Sequence, residues 1–305
     1  MFVTIVRRFA VYIYTVIGIS VLVFVLARLT GDPVSLYLPL NASQATRDAL
    51  AAELGFDQSI PVQLWRYATS LLSLDFGMSF RQNRPAIDIV LAAFPVTLTL
   101  AALAIGISLT LSLVIGSLAA WRPGSVFDRL SGFVSLMGAS VPDFWIAIML
   151  ILFFAVQLDL LPTSGMATPI HWILPVAVLV LRPFGILTQV VRSSMITALA
   201  SGYVKTARAK GASQGAITFV HALRNAMLPV ITVASDQAAG LVNGAVVAEA
   251  VFGFAGIGKI MLDAIQFRDF AVLQAAVLVV AMTIFAVNLI VEVIYALLDP
   301  RIRLQ

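Results

Sequence analysis

Long apolar runs alternate with short polar stretches along this chain, and the lengths of the runs predict the elements. Residues 9–27, 95–120, 130–158, 173–195, 226–250 and 270–298 are each apolar enough to cross a bilayer as a helix, which takes about 20 residues. The first run is too long for a signal-peptide core, and no small-x-small cleavage pattern follows it, so it reads as an uncleaved span. Prolines interrupt two of the others: Pro142 in the third, and Pro175 and Pro183 in the fourth. Both chain ends are expected on the inner side.

Residues 28–94 are mixed in character. Arginines and acidic residues balance there, and Ser43 with residues 46–54 reads as a capped amphipathic helix. Pro61 and residues 62–72 suggest a second. A loop this long crosses largely regardless of charge, so residues 28–94 are expected to form a small external helical subdomain. Asp75-Phe76-Gly77 lies in it but has none of the glycine-rich, Lys or His-Arg-Asp motifs of a kinase around it, so it reads as a turn.

Composition agrees with this pattern. The chain has 305 residues, 61% hydrophobic and 11% charged, with a mean hydropathy of +1.02. Soluble domains carry roughly twice that charge. The net charge is +4, but the basic residues sit beside the apolar runs. Arg7, Arg8, Arg122, Arg129 and Arg192 fall in inner segments, while the two short outer loops hold only Lys259 and Arg268. That asymmetry is the positive-inside pattern and not a nucleic-acid footprint. There is no cysteine and there are two histidines, too few for a histidine-rich metal site. No Gly-x4-Gly-Lys-Ser/Thr run is present, so no P-loop for ATP is expected in this chain.

The most polar stretch between two membrane-length runs covers residues 203–229. It carries Tyr203, Lys205, Thr206, Arg208, Lys210, His221 and Arg224 and no acidic residue. Val204, Ala207, Ala212, Ile217 and Val220 recur at helical spacing, and Gly211 divides the stretch into two short helices. A folded helical pair on the inner side needs a docking partner, and His221 alone there reads as structural.

Ionisable residues inside spans are costly, about 3 kcal/mol at the helix centre, so each is a functional candidate. Asp143 follows Pro142, Arg182 precedes Pro183, and Asp236 lies midway along the fifth span. They are expected either to line a polar path or to pair with one another. Glu249 and Glu292 stand nearer span ends, where a carboxylate can reach water. Glu249, Phe252, Gly256 and Gly258 are candidates for an outer-loop gate, in a glycine-rich stretch read as a re-entrant turn because its glycine order differs from a dinucleotide fingerprint.

Several of these stretches together resemble one family. Tyr203-Val204-Lys205-Thr206-Ala207-Arg208-Ala209-Lys210-Gly211 with His221-Ala222-Leu223-Arg224-Asn225-Ala226 and Leu228-Pro229 is similar to the coupling loop of dipeptide, oligopeptide and nickel ABC-importer permeases. Gly31-Asp32-Pro33, Asp75-Phe76-Gly77-Met78-Ser79, Ser140-Val141-Pro142, the Glu249 loop and Asp299-Pro300-Arg301 resemble the same family. Only Ala207, Gly211 and Leu223 match the general coupling pattern, whose glutamate is replaced here by Lys205, and Ala255 stands where the family usually has proline. The resemblance implies an all-α polytopic membrane protein of about six spans with the type I importer permease fold, both termini cytoplasmic. It implies a non-enzymatic translocation subunit in a bacterial-type inner membrane. Implied partners are a second homologous permease, two cytoplasmic ATPase subunits and an external substrate-binding protein, with ATP and Mg held by the ATPases and no cofactor on this chain. Implied regions are residues 1–27 (tail and first helix), 28–94 (external subdomain), 95–298 (five-helix core with coupling loop 196–225) and 299–305 (cytoplasmic tail). The family's substrates range over peptides, nickel chelates, opines and glycosides. The rival reading is a proton- or ion-coupled carrier acting alone, with Asp143 and Asp236 as its relay.

Overall fold

The computed structural model describes residues 14–15, 17–25, 38, 43–73 and 75–298, with side chains at 53, 54, 72, 243, 244 and 292–298 left aside. Arg7, Arg8, Gly31-Asp32-Pro33, the Glu292 side chain and Asp299-Pro300-Arg301 lie outside the described residues. Among those described there is no strand, only one antiparallel bridge between Met78 and Pro85. The chain forms two compact units, residues 1–95 with 255–285 and residues 96–254 with 286–305.

In the first unit, α1 (Gln44–Leu54) starts at Ser43, whose Oγ accepts the Thr46 N–H at 3.2 Å. It ends at Gly55 in the left-handed region, φ +72°. α2 (Ile60–Leu72) carries proline in its first turn, where the missing N–H costs no helix bond. Tyr67 of α2 stacks on Phe24 with ring centroids 5.4 Å apart. The Asp75-Phe76-Gly77 stretch is a turn. Asp75 Oδ1 accepts the Gly77 N–H at 2.9 Å, and Ser79 Oγ donates to the buried Asp269 Oδ2 at 2.5 Å. Arg81 lies over the Phe267 ring, 3.7 Å from its centroid. Residues 251–269, expected as an outer loop, hold an 11-residue helix, α9 (Ile257–Phe267).

The second unit is organised around α6 (Ile173–Leu199). More than half of its span window is buried, 56%, against 28% for each of the other three long spans. Packing between membrane helices relies on close steric fit, because lipid is as apolar as leucine. Small residues provide that fit here. An added Cβ would stand 2.8 Å from the Val191 side chain at Gly116 of α3 (Ala86–Trp121) and 2.7 Å from the Leu181 carbonyl at Gly138 of α4 (Val126–Ser140). At Gly185 of α6 it would stand 2.2 Å from the Ser135 carbonyl. Pro183 removes one helix bond inside α6. On either side of it, Ser108 and Ser112 of α3 donate to the Val180 and Phe184 carbonyls at 3.0 and 3.1 Å.

The third expected span, residues 130–158, is not one straight helix. α4 and the following α5 (Asp143–Leu150, continued by the π-helical turn Ile151–Gln157) meet at 105° across Val141-Pro142. The residue before a proline avoids helical geometry, and Val141 is extended at ψ 134°. α8 (Leu223–Phe252) and α10 (Phe270–Leu298) complete the long helices. Four described helices are long and apolar enough to span a membrane, or up to six if each of two bent pairs is one span.

The Gly185 contact gives a direct test. Gly185→Ala should force α4 and α6 apart and cost about 1–3 kcal/mol, whereas Gly132→Ala, with nothing within 4 Å of the new carbon, should be near neutral. Thermal unfolding in mild detergent should show a lower midpoint for the first variant only. Equal midpoints would remove the packing role assigned to this notch.

Candidate functional site

Ser201 precedes a short helix, α7 (Gly202–Ala209), and its Oγ donates to the Ala198 carbonyl at 2.5 Å. Val204 is the one residue of α7 that is fully buried. Ala207 is half-buried, while Tyr203, Lys205, Thr206, Arg208 and Lys210 are exposed. Gly211 takes φ +81°, a conformation that a side chain would strain. Ser213 Oγ then accepts the Ala216 N–H at 3.3 Å and starts the second helical piece. His221 and Arg224 are exposed, and the Asn225 amide donates to the His221 carbonyl at 2.8 Å.

The helical spacing of this stretch holds for Val204 and Ile217, both 1% exposed, but not for Val220, which is 61% exposed. The cause is the π-helical turn Ile217–Ala222. Its wider ring shifts the register, so Thr218 turns inward and Val220 outward. The segment is thereby anchored at Val204, Ile217 and Ala222 and presents a basic outer face. Its ends are rooted in one buried cluster of Ala120, Val191, Met195, Ala198, Ala222, Ala226 and Val230, drawn from α3, α6, the π turn and α8.

The intramembrane charges are placed differently from one another. Asp236 is exposed midway along α8, with the Gln237 amide donating to it at 3.3 Å. Asn225, Pro229, Thr232, Asp236 and Gly240 are all exposed at spacings of three or four, so they form one stripe. A carboxylate facing lipid at that depth is costly, so this stripe needs water or protein beside it. Arg182 is exposed on α6 and Asp143 is half-buried at the start of α5. The charge of Arg182 acts on Asp143 through space, yet among the described residues neither makes a direct ion pair. Pairing of Arg182 with Asp143 or Asp236 is therefore not what the structure contains. Sequence reasoning singled out Asp236 and missed Thr232 and Asn225, although their spacing from it was visible.

Glu249 does not reach water. It is fully buried in the last turn of α8, and Thr97 Oγ1 of α3 donates to its Oε1 at 2.6 Å. The helix beyond it closes at Gly253, φ +69°, with the Phe254 N–H donating to the Glu249 carbonyl at 2.9 Å. Phe252 is 1% exposed and its carbonyl accepts the Gly165 N–H at 2.8 Å. Phe254 packs edge-on against Trp172, 4.9 Å between centroids. A carboxylate that position alone suggested was solvated is thus buried, with the Thr97 hydroxyl donating to it. Gly256, in the other unit, is the N-cap of α9, and Gly258 is buried in that helix's first turn.

Known proteins resemble this chain in sequence and in fold. A family model for the inner membrane component of binding-protein-dependent transport systems matches residues 112–304, and the model for the N-terminal part of such components matches residues 1–101. A putative peptide transport system permease protein of Brucella abortus (strain 2308) is 35% identical over 308 residues, covering 98% of each chain. The dipeptide transport system permease protein DppB of Escherichia coli (strain K12) is 35% identical over 332 residues, again with 98% of each chain covered. Among solved structures, the inward-facing MetNI methionine ABC transporter aligns with a TM-score of 0.58 at 16% identity, over 69% of this chain and 96% of that one. An amino acid ABC transporter solved with histidines gives a TM-score of 0.51 at 17% identity, over 70% and 94% of the two chains. These two likenesses bear on the fold alone. With the family model matched over more than half its length, the chain belongs to the inner-membrane components of binding-protein-dependent transport systems.

Proposed function

We propose that this chain is a permease subunit that carries a peptide-like small solute inward, driven by separate ATPase subunits that dock on residues 196–225. The observation that carries the reading is the exposed face of α7. Lys205, Thr206 and Arg208 project from a helix held from behind by Val204, Lys210 is exposed at its C-cap, and there is no acidic residue from 196 to 225. A basic, amphipathic surface segment rooted in the membrane core suits a protein partner of complementary charge. ATP and Mg belong to that partner, and a second homologous permease supplies the other wall of the path. An external binding protein delivers the solute. The functions of the relatives, dipeptide and peptide transport, support the peptide class and favour an importer over a carrier working alone.

Movement of α7 is transmitted through the buried Ala198–Ala222 cluster into α6 and α8. A rigid lever of this kind lets ATP binding bias the two states of the path. The exposed Asn225–Gly240 stripe on α8, centred on Asp236, is the wall that faces the solute. Zwitterionic peptides suit a wall with isolated charges, since Asp236 and Arg182 offer partners to an ammonium and a carboxylate.

Two tests separate the parts of this reading. Ala207→Glu, and Gly211→Val at its φ of +81°, should each reduce ATPase co-purification from mild detergent about tenfold or more, with membrane levels unchanged. Retention of the ATPase at the level of the unaltered chain would count against docking at this segment. The natural chain has no cysteine, so single replacements can be labelled cleanly. In lipid nanodiscs Thr232→Cys should react with a water-soluble thiol reagent, whereas Leu103→Cys on α3, 41% exposed, should stay unreactive in lipid. An inert Thr232→Cys would show that the α8 stripe is not wetted.

A further inference from the structure

Residues 121–125 join α3 to α4 in a tight turn with Gly124 at φ +82°. Ser125 Oγ accepts the Asp128 N–H at 3.2 Å and caps α4. The Asp128 carboxylate, only 5% exposed, closes the turn by accepting the Gly124 N–H at 2.8 Å. The same carboxylate receives the Arg192 guanidinium fork, Nε on Oδ1 and Nη2 on Oδ2, the latter at 2.8 Å. Arg192 lies on α6 about two turns before that helix ends at Leu199, just ahead of α7. One buried carboxylate therefore ties the α3–α4 turn to the helix that leads into the coupling segment.

The junction is made a second time in apolar atoms. Ala120, the last buried residue of α3, packs in the same cluster as Val191, Met195, Ala198 and Ala222. Apolar contact allows two helices to slide, whereas a bidentate guanidinium–carboxylate pair fixes one mutual orientation. Burying that carboxylate is costly and is justified only with its partner in place.

We infer that Asp128 and Arg192 are positioning residues that make the α3–α4 turn move as one body with the end of α6 and with α7, so that the ATPase stroke reaches α3 and α4 as well as α6 and α8. The inference rests on the proposed docking of an ATPase at residues 196–225. It concerns neither substrate contact nor the docking surface itself, because Asp128 is buried and Arg192 faces it.

Distance measurement in the assembled importer tests it. Arg122→Cys and Ala209→Cys, both at exposed positions, would carry spin labels, with partner cysteines removed, in nanodiscs containing the ATPase subunits. The 122–209 distance should be the same in the ATP-free and the ADP–vanadate-trapped state. Adding D128N and R192Q together, which leaves no lone buried charge, should shift or broaden that distance in one of the two states. A wild-type distance that changes between states overturns the inference, and this holds even if the D128N/R192Q protein fails to fold. So does an unchanged distance in a folded D128N/R192Q protein. Should no ATPase be held by the unaltered chain, the docking reading fails instead, and that outcome is seen before any distance is measured.

Discussion

Close steric fit around α6 is the constraint on which the second unit depends. In a bilayer the hydrophobic effect does not draw one apolar helix to another, so contact must come from shape and from polar bonds. Gly116, Gly138 and Gly185 let neighbouring backbones and side chains come within distances that an added carbon would not permit. Ser108, Ser112 and Thr188 add hydrogen bonds in the same seam. These bonds stabilise the region around Pro183, where the α6 ladder has lost a donor and lipid offers none.

That tight packing gives mechanical meaning to the polar segment. α7 is short and would not be a stable helix alone. The segment that contains it holds its place because Val204 and Ile217 are buried and because Ala198 and Ala222, at the two ends of the segment, lie in one cluster. A partner that pushes on the exposed basic face therefore pushes on α6 and α8. The C-terminal end of α8 is closed differently, by a buried Glu249–Thr97 hydrogen bond and the Gly253 cap. One helix thus connects a surface segment, a polar mid-membrane stripe and a sealed terminus.

Much of this was legible in the residues. The positions of the apolar runs that become α3, α6, α8 and α10, the Ser43 cap, the division at Gly211 and the family likeness follow from periodicity, turn chemistry and motif spacing. Other features were hidden for identifiable reasons. Pro142 announced an interruption but not a 105° bend between two half-length helices, because the angle is set by what α4 and α5 pack against. Val220 was placed on the wrong face because a π turn has no strong sequence signal. Glu249 looked solvated from its place near a span end, since nothing in the sequence connects it to Thr97, 152 positions away. Arg192 counted only as an inner-side charge until the fold brought it to Asp128.

We propose that the segment held by the buried Val204 and Ile217 presents its basic face to an ATPase. A photo-crosslinking amino acid at Arg208, exposed on that face, tests it in native membranes. The account requires an adduct of this chain with one ATPase subunit, lost when the same group is placed at the buried Val204. Crosslinking to lipid alone, or equal crosslinking from both positions, would contradict it.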